Sequence, residues 1–432
     1  MDNIIQVYTT SVTTRLQYAL EIVFTTILGL KYEIITDKPD PERPLINYSD
    51  NRSVGGIFIQ PEPILFQTGI GKQDIWVAHM DNIPLFFQQP PEAGFFIDIF
   101  AFAFYLCSRY EEYLPFRRDE HGRFAAESSM AYKHNFLYLP VVDIWSIKFG
   151  HTLEMLYPSV KTAERKYDVL LTVDVDQPFA FRGKGLFRNM AGVVLDILNG
   201  RDFALRFNCI TGTKPDPYDT FDYLNDQARK YKSKVIYFFT AGEKSRFDKN
   251  PNPLRRCYKR LIRKLSETAE TGLHPSYFSN RLPKVIIKEK GNLETAGNRK
   301  IISSRQHFLL LSFPDTYQVL QEVGIEKDYT LGYVREAGFR AGIARPFKFY
   351  DLHKEEMTSL TLIPFQYMDG TLQQYKRLTT DEAKEVIDSL VEETRKVGGL
   401  FVSVWHNTSL AEDDFWKGWR DVFEYSLKSQ EP

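Results

Sequence analysis

The sequence predicts an α/β protein in two parts: a smaller N-terminal α/β domain over residues 1–160, and a distorted parallel (β/α)7-type barrel over residues 165–432. Two observations carry this reading. The length of 432 residues exceeds a usual single domain and leaves room for a barrel of about 250 residues beside a second unit. From about residue 165 the pattern changes to strand-like runs alternating with helical ones, the signature of a parallel sheet with crossover helices. An open doubly wound sheet is the rival architecture.

In the N-terminal part the periodicity predicts a helix near Arg15–Leu28, then a strand around Lys31–Ile35, with short strands near Gly55–Ile59 and Asp74–His79. Asp98 is placed to N-cap an apolar helix from Ile99 to Tyr113, which Pro115 ends. Asp119-Glu120-His121-Gly122 has turn chemistry, and a loop histidine beside glycine reads as solvated. In the C-terminal part the strand signals are Asp168–Val175, Lys234–Thr240, Gly272–His274, Ile301–Phe308, Gly338–Ala344, Leu360–Tyr367 and Leu400–Trp405. Helical patterns fill most gaps, among them Tyr218–Tyr231, Leu254–Ala269 and Asp381–Val397. Thr379 and Glu382 form a capping box before the last of these, and Gly398-Gly399 ends it.

Composition narrows the function. Lys plus Arg (55) nearly balance Asp plus Glu (56), so no global charge calls for nucleic acid as partner. Cys107, Cys209 and Cys257 lack paired spacing, which argues against a disulfide framework or zinc cluster and for a reducing, cytoplasmic home. The apolar stretch from Ala19 to Leu30 is interrupted by Glu21 and two threonines and reads as a buried helix, not a membrane span or signal peptide. Work at a membrane surface stays open. No glycine-rich nucleotide fingerprint follows any strand, and no Gly-x-Ser-x-Gly elbow is present.

The most informative stretch is Leu170-Leu171-Thr172-Val173-Asp174-Val175-Asp176. Alternate side chains of a strand share a face, so Asp174 and Asp176 project together from its end. Two carboxylates at the tip of a buried strand are hard to justify by packing and suit metal binding or proton transfer. In α/β barrels reactive groups gather at the strands' C-terminal ends. Those ends here carry, in order, Asp174 and Asp176, His274, Arg305 and His307, Arg340, Asp369, and His406. An Asp/His/His set for a divalent metal such as Zn2+ can be drawn from them.

These residues resemble the motifs of the polysaccharide deacetylase superfamily, the NodB-homology or carbohydrate esterase 4 group. Thr172-Val173-Asp174-Val175-Asp176 is similar to its first motif, Gly272-Leu273-His274-Pro275-Ser276 to its second, and Val404-Trp405-His406-Asn407 to its late histidine motif. Arg305-Gln306-His307 and Gly338-Phe339-Arg340-Ala341-Gly342 resemble elements of a bacterial subgroup. Ser108-Arg109-Tyr110-Glu111-Glu112-Tyr113 resembles the uncharacterised domain preceding the deacetylase there. The resemblance implies a metal-dependent hydrolase that removes N-acetyl groups from sugars. It makes Asp174 the general base, Asp176 and His274 metal ligands, and His406 the general acid. The sequence departs where the second motif histidine should stand, since positions 277 to 279 are Tyr, Phe and Ser. His307, at the next strand end, is the replacement ligand expected here, and Arg305 or Arg340 would orient Asp174 by a bidentate contact. Two other functions compete. A non-catalytic glycan binder on a degenerate barrel is favoured by the missing histidine, and a glycoside hydrolase would use the carboxylates but leave the histidines idle.

Overall fold

The computed structural model describes residues 4–198 and 203–432. Four short parallel strands open the chain: β1 (Ile5–Tyr8), β2 (Tyr32–Ile35), β3 (Leu45–Asn47) and β4 (Ile57–Phe58), in the order β2-β1-β3-β4. A separate antiparallel pair follows, β5 (Ala78–Met80) with β6 (Ile83–Leu85). Helix α1 (Thr14–Leu20) continues into a π-turn, Glu21–Leu28, so the expected single helix changes pitch part-way. Helix α2 (Ile99–Cys107) is buried along its whole length, and Asp98 caps it by accepting from the N–H groups of Phe100 and Ala101. It stops at Cys107 and not at the expected Tyr113, because Arg109 adopts a left-handed φ of 55° and turns its guanidinium onto Glu112. Helices α3 (Met130–Lys133) and α4 (Val141–Leu156) complete this part.

The second part is a nine-stranded sheet. Its strands are β7 (Asp168–Val175), β8 (Lys234–Thr240), β9 (Glu270–His274), β10 (Ser303–Ser304), β11 (Lys327–Asp328), β12 (Phe347–Asp351), β13 (Glu356–Leu362), β14 (Tyr367–Met368) and β15 (Leu400–His406). The order is β12-β13-β11-β10-β9-β8-β7-β15-β14, parallel throughout except for the antiparallel β12–β13 edge pair. The helices are α5 (Leu186–Leu198), α6 (Phe203–Thr211), α7 (Phe221–Lys230), α8 (Arg256–Ser266), α9 (Pro283–Gly297), α10 (Asp315–Glu322), α11 (Thr380–Lys396) and α12 (Trp419–Ser429). The Thr379–Glu382 capping box forms at α11, and Gly398 follows that helix with a φ of 57°. Strand β7 lies between β15 and β8 and is buried on both faces, as expected for a valine- and leucine-rich run in a parallel sheet.

Strand periodicity sorts the side chains onto two faces. Val169, Leu171 and Val173 point into the main core, which runs without interruption from Ile5 to Leu427 and so joins both parts of the chain. Leu170, Ile236, Phe238, Val402 and Val404 lie on the other face and meet Ile363 and Phe365, which follow β13 near the opposite end of the sheet, and Met368 of β14. The sheet is therefore strongly curved around a second apolar cluster. Asp174, His406 and His274 follow the same alternation and stand above that cluster, since His406 pairs in register with Asp174 and His274 with Thr240.

One strand expectation fails. Gly338–Ala344 is irregular chain: only its last carbonyl, that of Ala344, meets a strand, at Leu400 N–H of β15, and much of the rest bonds to the N-terminal part. Phe339 N–H donates to the Leu137 carbonyl (2.7 Å) and the Gly342 carbonyl accepts from Val142 N–H (2.8 Å). A side chain at Gly338 would lie 2.3 Å from the Leu137 carbonyl oxygen, so only glycine permits that approach. The expected strand Ile301–Phe308 is realised only as β10, the expected Leu360–Tyr367 begins inside β13 and ends in β14, and β11 and β12 had no counterpart among the expected strands.

Buried ion pairs cross between the parts. Glu112 accepts from Arg340 Nε (2.9 Å) and Nη2 (2.5 Å) and from Arg109 Nε (2.8 Å). Asp143 on α4 accepts from Arg345 Nε (2.6 Å). Burial would raise the Glu112 carboxyl, yet Arg340 and Arg109 hold it below its ordinary value. Removing that one carboxylate leaves the buried Arg340 guanidinium without a carboxylate partner and Arg109 with Glu111 alone. Glu112→Ala is expected to cost about 3–5 kcal/mol in urea unfolding; a loss below about 1 kcal/mol would show that the cluster does not clamp the two parts.

Candidate metal centre

At the C-terminal end of β7 the structure brings together six of the residues singled out in the sequence. His274 Nε2 lies 3.2 Å from Asp176 Oδ1, and His307 Nε2 lies 3.5 Å from Asp176 Oδ2. One ligand-type atom from each of these three residues falls within 4.8 Å of the others. Asp174 is buried beside them, with Oδ2 3.9 Å from His274 Nε2 and Oδ1 accepting from Arg305 Nη1 at 2.9 Å. His406 Nε2 stands 3.8 Å from Asp176 Oδ2.

Each histidine is held at its other nitrogen. His274 Nδ1 meets the Arg305 carbonyl (2.5 Å), His307 Nδ1 meets Asp248 Oδ1 (2.9 Å), and His406 Nδ1 meets Asp369 Oδ1 (2.7 Å). Fixing Nδ1 turns every Nε2 toward Asp176, the arrangement in which outer-shell acceptors orient metal-binding imidazoles. Asp176 Oδ1 is buried without a hydrogen-bond partner. A buried carboxylate oxygen without a donor, facing two oriented imidazole nitrogens, fits a divalent cation by its chemistry.

His307 does not sit at the tip of a long strand as expected. It opens a short 3-10 turn, His307–Leu309, in which Phe308 (φ 59°) and Leu309 (φ 50°) both take left-handed backbone. Such conformations are costly for non-glycine residues and persist where surroundings enforce them. Here the N-terminal part enforces them: Arg123 Nη1 donates to the Phe308 carbonyl (2.6 Å), and His121 Nδ1 contacts the Tyr277 hydroxyl (3.0 Å). The turn expected to be solvated is thus packed against the site.

Tyr277 explains how the altered second motif is accommodated. Its backbone N–H donates to Asp248 Oδ1 (3.0 Å), the same oxygen that orients His307. Ser245 Oγ holds the other oxygen of Asp248 (2.5 Å). Asp248 had no signal in the sequence, because a loop aspartate near a serine looks like ordinary turn chemistry. Asp369 was visible only as a strand-end carboxylate, and its bond to His406 depends on the β14–β15 pairing.

Arg340 requires correction. Its guanidinium is occupied by Glu112 and the Gly332 carbonyl (2.8 Å) and it stacks on Tyr333, so it serves the contact between the two parts. Arg305 alone reaches Asp174, by a single bond from Nη1 and not by the bidentate contact expected. It is fully buried between the rings of Phe238 (4.7 Å) and Phe365 (5.5 Å) and donates also to the Tyr329 carbonyl (2.9 Å).

The cleft above these groups has a volume of about 260 Å³. Gln177, Met368, Gln374, Tyr375 and Trp416 form much of its wall. Its charges are strongly coupled. Burial would raise the Asp176 carboxyl, but His307, His274 and His406 hold it well below the usual carboxylate range. Burial would likewise lower the imidazoles. Instead Asp176 and Asp248 push His307 up to about 9, and Asp369, Asp176 and Asp174 push His406 up to about 10.

Comparisons with known proteins give fold-level likenesses. A model described as a family of unknown function, DUF7033, matches residues 5–158. No curated protein matches the chain. Among solved structures, a candidate polysaccharide deacetylase from Mycobacterium smegmatis is 14% identical with a TM-score of 0.41, covering 61% of this chain and 85% of that one. A polysaccharide deacetylase from Bacillus cereus is 9% identical with a TM-score of 0.29, covering 61% of this chain and 89% of that one. A carbohydrate esterase 4 family pseudoenzyme from Bacillus anthracis is 11% identical with a TM-score of 0.29, covering 60% and 61%. At this identity and overlap the likenesses assign no activity, and the site's own geometry has to carry one.

The His406 environment has a measurable consequence in chelator-treated protein. Its folded-state value of about 10 lies above the ordinary histidine value of about 6.5. The stabilisation is therefore complete below about pH 6.5 and is lost as pH rises through about 10. Imidazole NMR should find His406 protonated at neutral pH, and Asp369→Asn should lower its titration midpoint. A wild-type midpoint near 6.5 would contradict the Asp369 and Asp176 contacts.

Proposed function

We propose that the chain is a metal-dependent hydrolase that removes an N-acyl group, acetyl in the simplest case, from a sugar in surface-glycan metabolism. The observation that carries this reading is the convergence of Asp176, His274 and His307, with both imidazoles already turned by fixed Nδ1 partners. These three residues would hold the ion, and their mixed nitrogen and oxygen donors suit Zn2+. When bound, such an ion supplies Lewis acidity toward an acyl oxygen and makes water nucleophilic at neutral pH.

The remaining groups divide the proton work. Asp174, oriented by Arg305 and beside the ligand set, takes the proton from the attacking water. His406, protonated and steadied by Asp369, delivers a proton to the departing amine, which an amide needs before its C–N bond breaks. Tyr375 and Trp416 offer apolar faces to a sugar ring, while Gln177 and Gln374 offer hydrogen-bonding partners. On this reading the curved sheet is a distorted parallel barrel over residues 165–432, and residues 1–160 form an accessory domain that braces the His307 turn.

The glycan-binder reading leaned on the missing motif histidine. His307, 3.5 Å from Asp176, supports the hydrolase instead. A glycoside hydrolase needs two free carboxylates, and Asp174 is engaged by Arg305 while Asp176 faces three imidazoles.

Metal analysis and hydrolysis of N-acetylated sugars test the proposal together. The purified chain should carry stoichiometric zinc, and His307→Ala should lower occupancy as much as His274→Ala. Asp248→Ala should weaken metal affinity by about 10–100-fold. Asp174→Asn should keep the metal and lose about two to four orders of magnitude in turnover, and His406→Ala should do likewise, less so on activated esters. Full occupancy in His307→Ala would defeat the ligand assignment, and parental turnover in both proton-transfer variants would defeat their roles.

A further inference from the structure

Between β7 and α7 the chain leaves the sheet through a closed neck. The carboxylate of Asp216, itself buried, accepts from the N–H groups of Ala180 (2.6 Å), Phe181 (2.9 Å) and Arg182 (3.0 Å). Arg182 also pairs with Asp219 (3.4 Å). These bonds stitch the outgoing chain to the returning one and define α5 and α6 as an excursion with an anchored base.

The described side chains of the excursion are apolar where they should be polar. Met190, Val194, Leu195, Ile197 and Leu198 on α5 and Phe207 and Ile210 on α6 are exposed, from 42% at Ile210 to 75% at Leu198. At 3.6 residues per turn the α5 positions spread over about half of the helix circumference. An apolar stripe of that width normally faces a core. Here it faces outward, and so concentrated a patch marks an interaction surface.

Charge selects the partner. From Gly183 to Lys214 the sequence carries Lys184, Arg188, Arg201, Arg206 and Lys214 against only Asp196 and Asp202. The rest of the chain is balanced, so this excess is local. Aliphatic residues with interspersed basic ones are the composition of helices that lie in the headgroup region of anionic bilayers. No helix among the described residues is long and apolar enough to cross a membrane, which fits lying in the surface and not spanning it.

We propose that the α5–α6 excursion docks the protein on a membrane surface rich in anionic lipid, its exposed aliphatic residues entering the boundary of headgroups and acyl chains. Lys214, exposed just beyond α6, meets the lipid phosphates. The neck joins directly to the end of β7, beside Gln177 of the cleft wall, so docking brings the cleft close to the lipid surface. This inference does not depend on the hydrolase reading, and its test involves no turnover.

Co-sedimentation of the full chain with vesicles tests it. The protein should bind vesicles of phosphatidylethanolamine with phosphatidylglycerol, bind pure phosphatidylcholine weakly, and release in high salt. A variant with Met190→Ser, Val194→Ser, Leu198→Ser and Phe207→Ser should lose binding at least about tenfold. The charge variant Lys214→Glu should lose about fivefold or more while its melting temperature stays at the parental value. The proposal fails if the parent stays in the supernatant with anionic vesicles, or if both variants bind as the parent does. It fails equally if light scattering finds a concentration-dependent oligomer that the serine variant abolishes, since the surface would then be a protein interface.

Discussion

A guanidinium buried inside a curved sheet is the constraint around which this molecule is arranged. Arg305 lies between Phe238 and Phe365, with no exposed surface, and a charge in that position requires a carboxylate within reach. Asp174 supplies it at 2.9 Å. The backbone of the same arginine fixes His274 through its carbonyl, so one residue orients both a candidate base and a candidate ligand. The pair could not be replaced piecemeal, because losing either partner leaves an uncompensated charge in the apolar interior.

A second constraint comes from the N-terminal part. The turn carrying His307 contains two non-glycine residues in left-handed backbone, and Arg123 holds it from outside through the Phe308 carbonyl. From below, Tyr277 and Ser245 hold Asp248, which in turn fixes His307. The candidate ligand that departs from the family pattern is thus the one with the most elaborate support. The Glu112–Arg340–Arg109 cluster locks the two parts together, which keeps Arg123 in position. Residues 5–158 are in this sense a wall and a brace of the site.

Much of the site was legible because strand periodicity and strand ends are local properties. Asp174, Asp176, His274 and His406 fall on one face at neighbouring strand tips, and alternation along each run is enough to place them. Arg305 and His307 were found by the same reasoning, although the strand there is only Ser303–Ser304. Arg340 was misplaced because Gly338–Ala344 alternates like a strand, while the residues flanking Arg340 bond to Leu137 and Val142 and no ladder forms. No local pattern reports a backbone partner some two hundred residues away.

The sequence alone determined the alternating α/β architecture, the capping of α2 by Asp98 and of α11 by Thr379, and the gathering of carboxylates and imidazoles at strand ends. These follow from interactions within a few residues of chain, where periodicity and propensity act directly. Only the tertiary structure decided which arginine meets Asp174, that Asp248 and Asp369 orient His307 and His406, and that the turn at Asp119–Arg123 presses on the candidate metal centre. It also decided that Met190, Val194, Leu195, Ile197 and Leu198 of α5 face outward, which hydrophobicity by itself would have buried. Each of these depends on segments distant in sequence packing against one another, and that packing is governed by burial and charge pairing across the whole molecule.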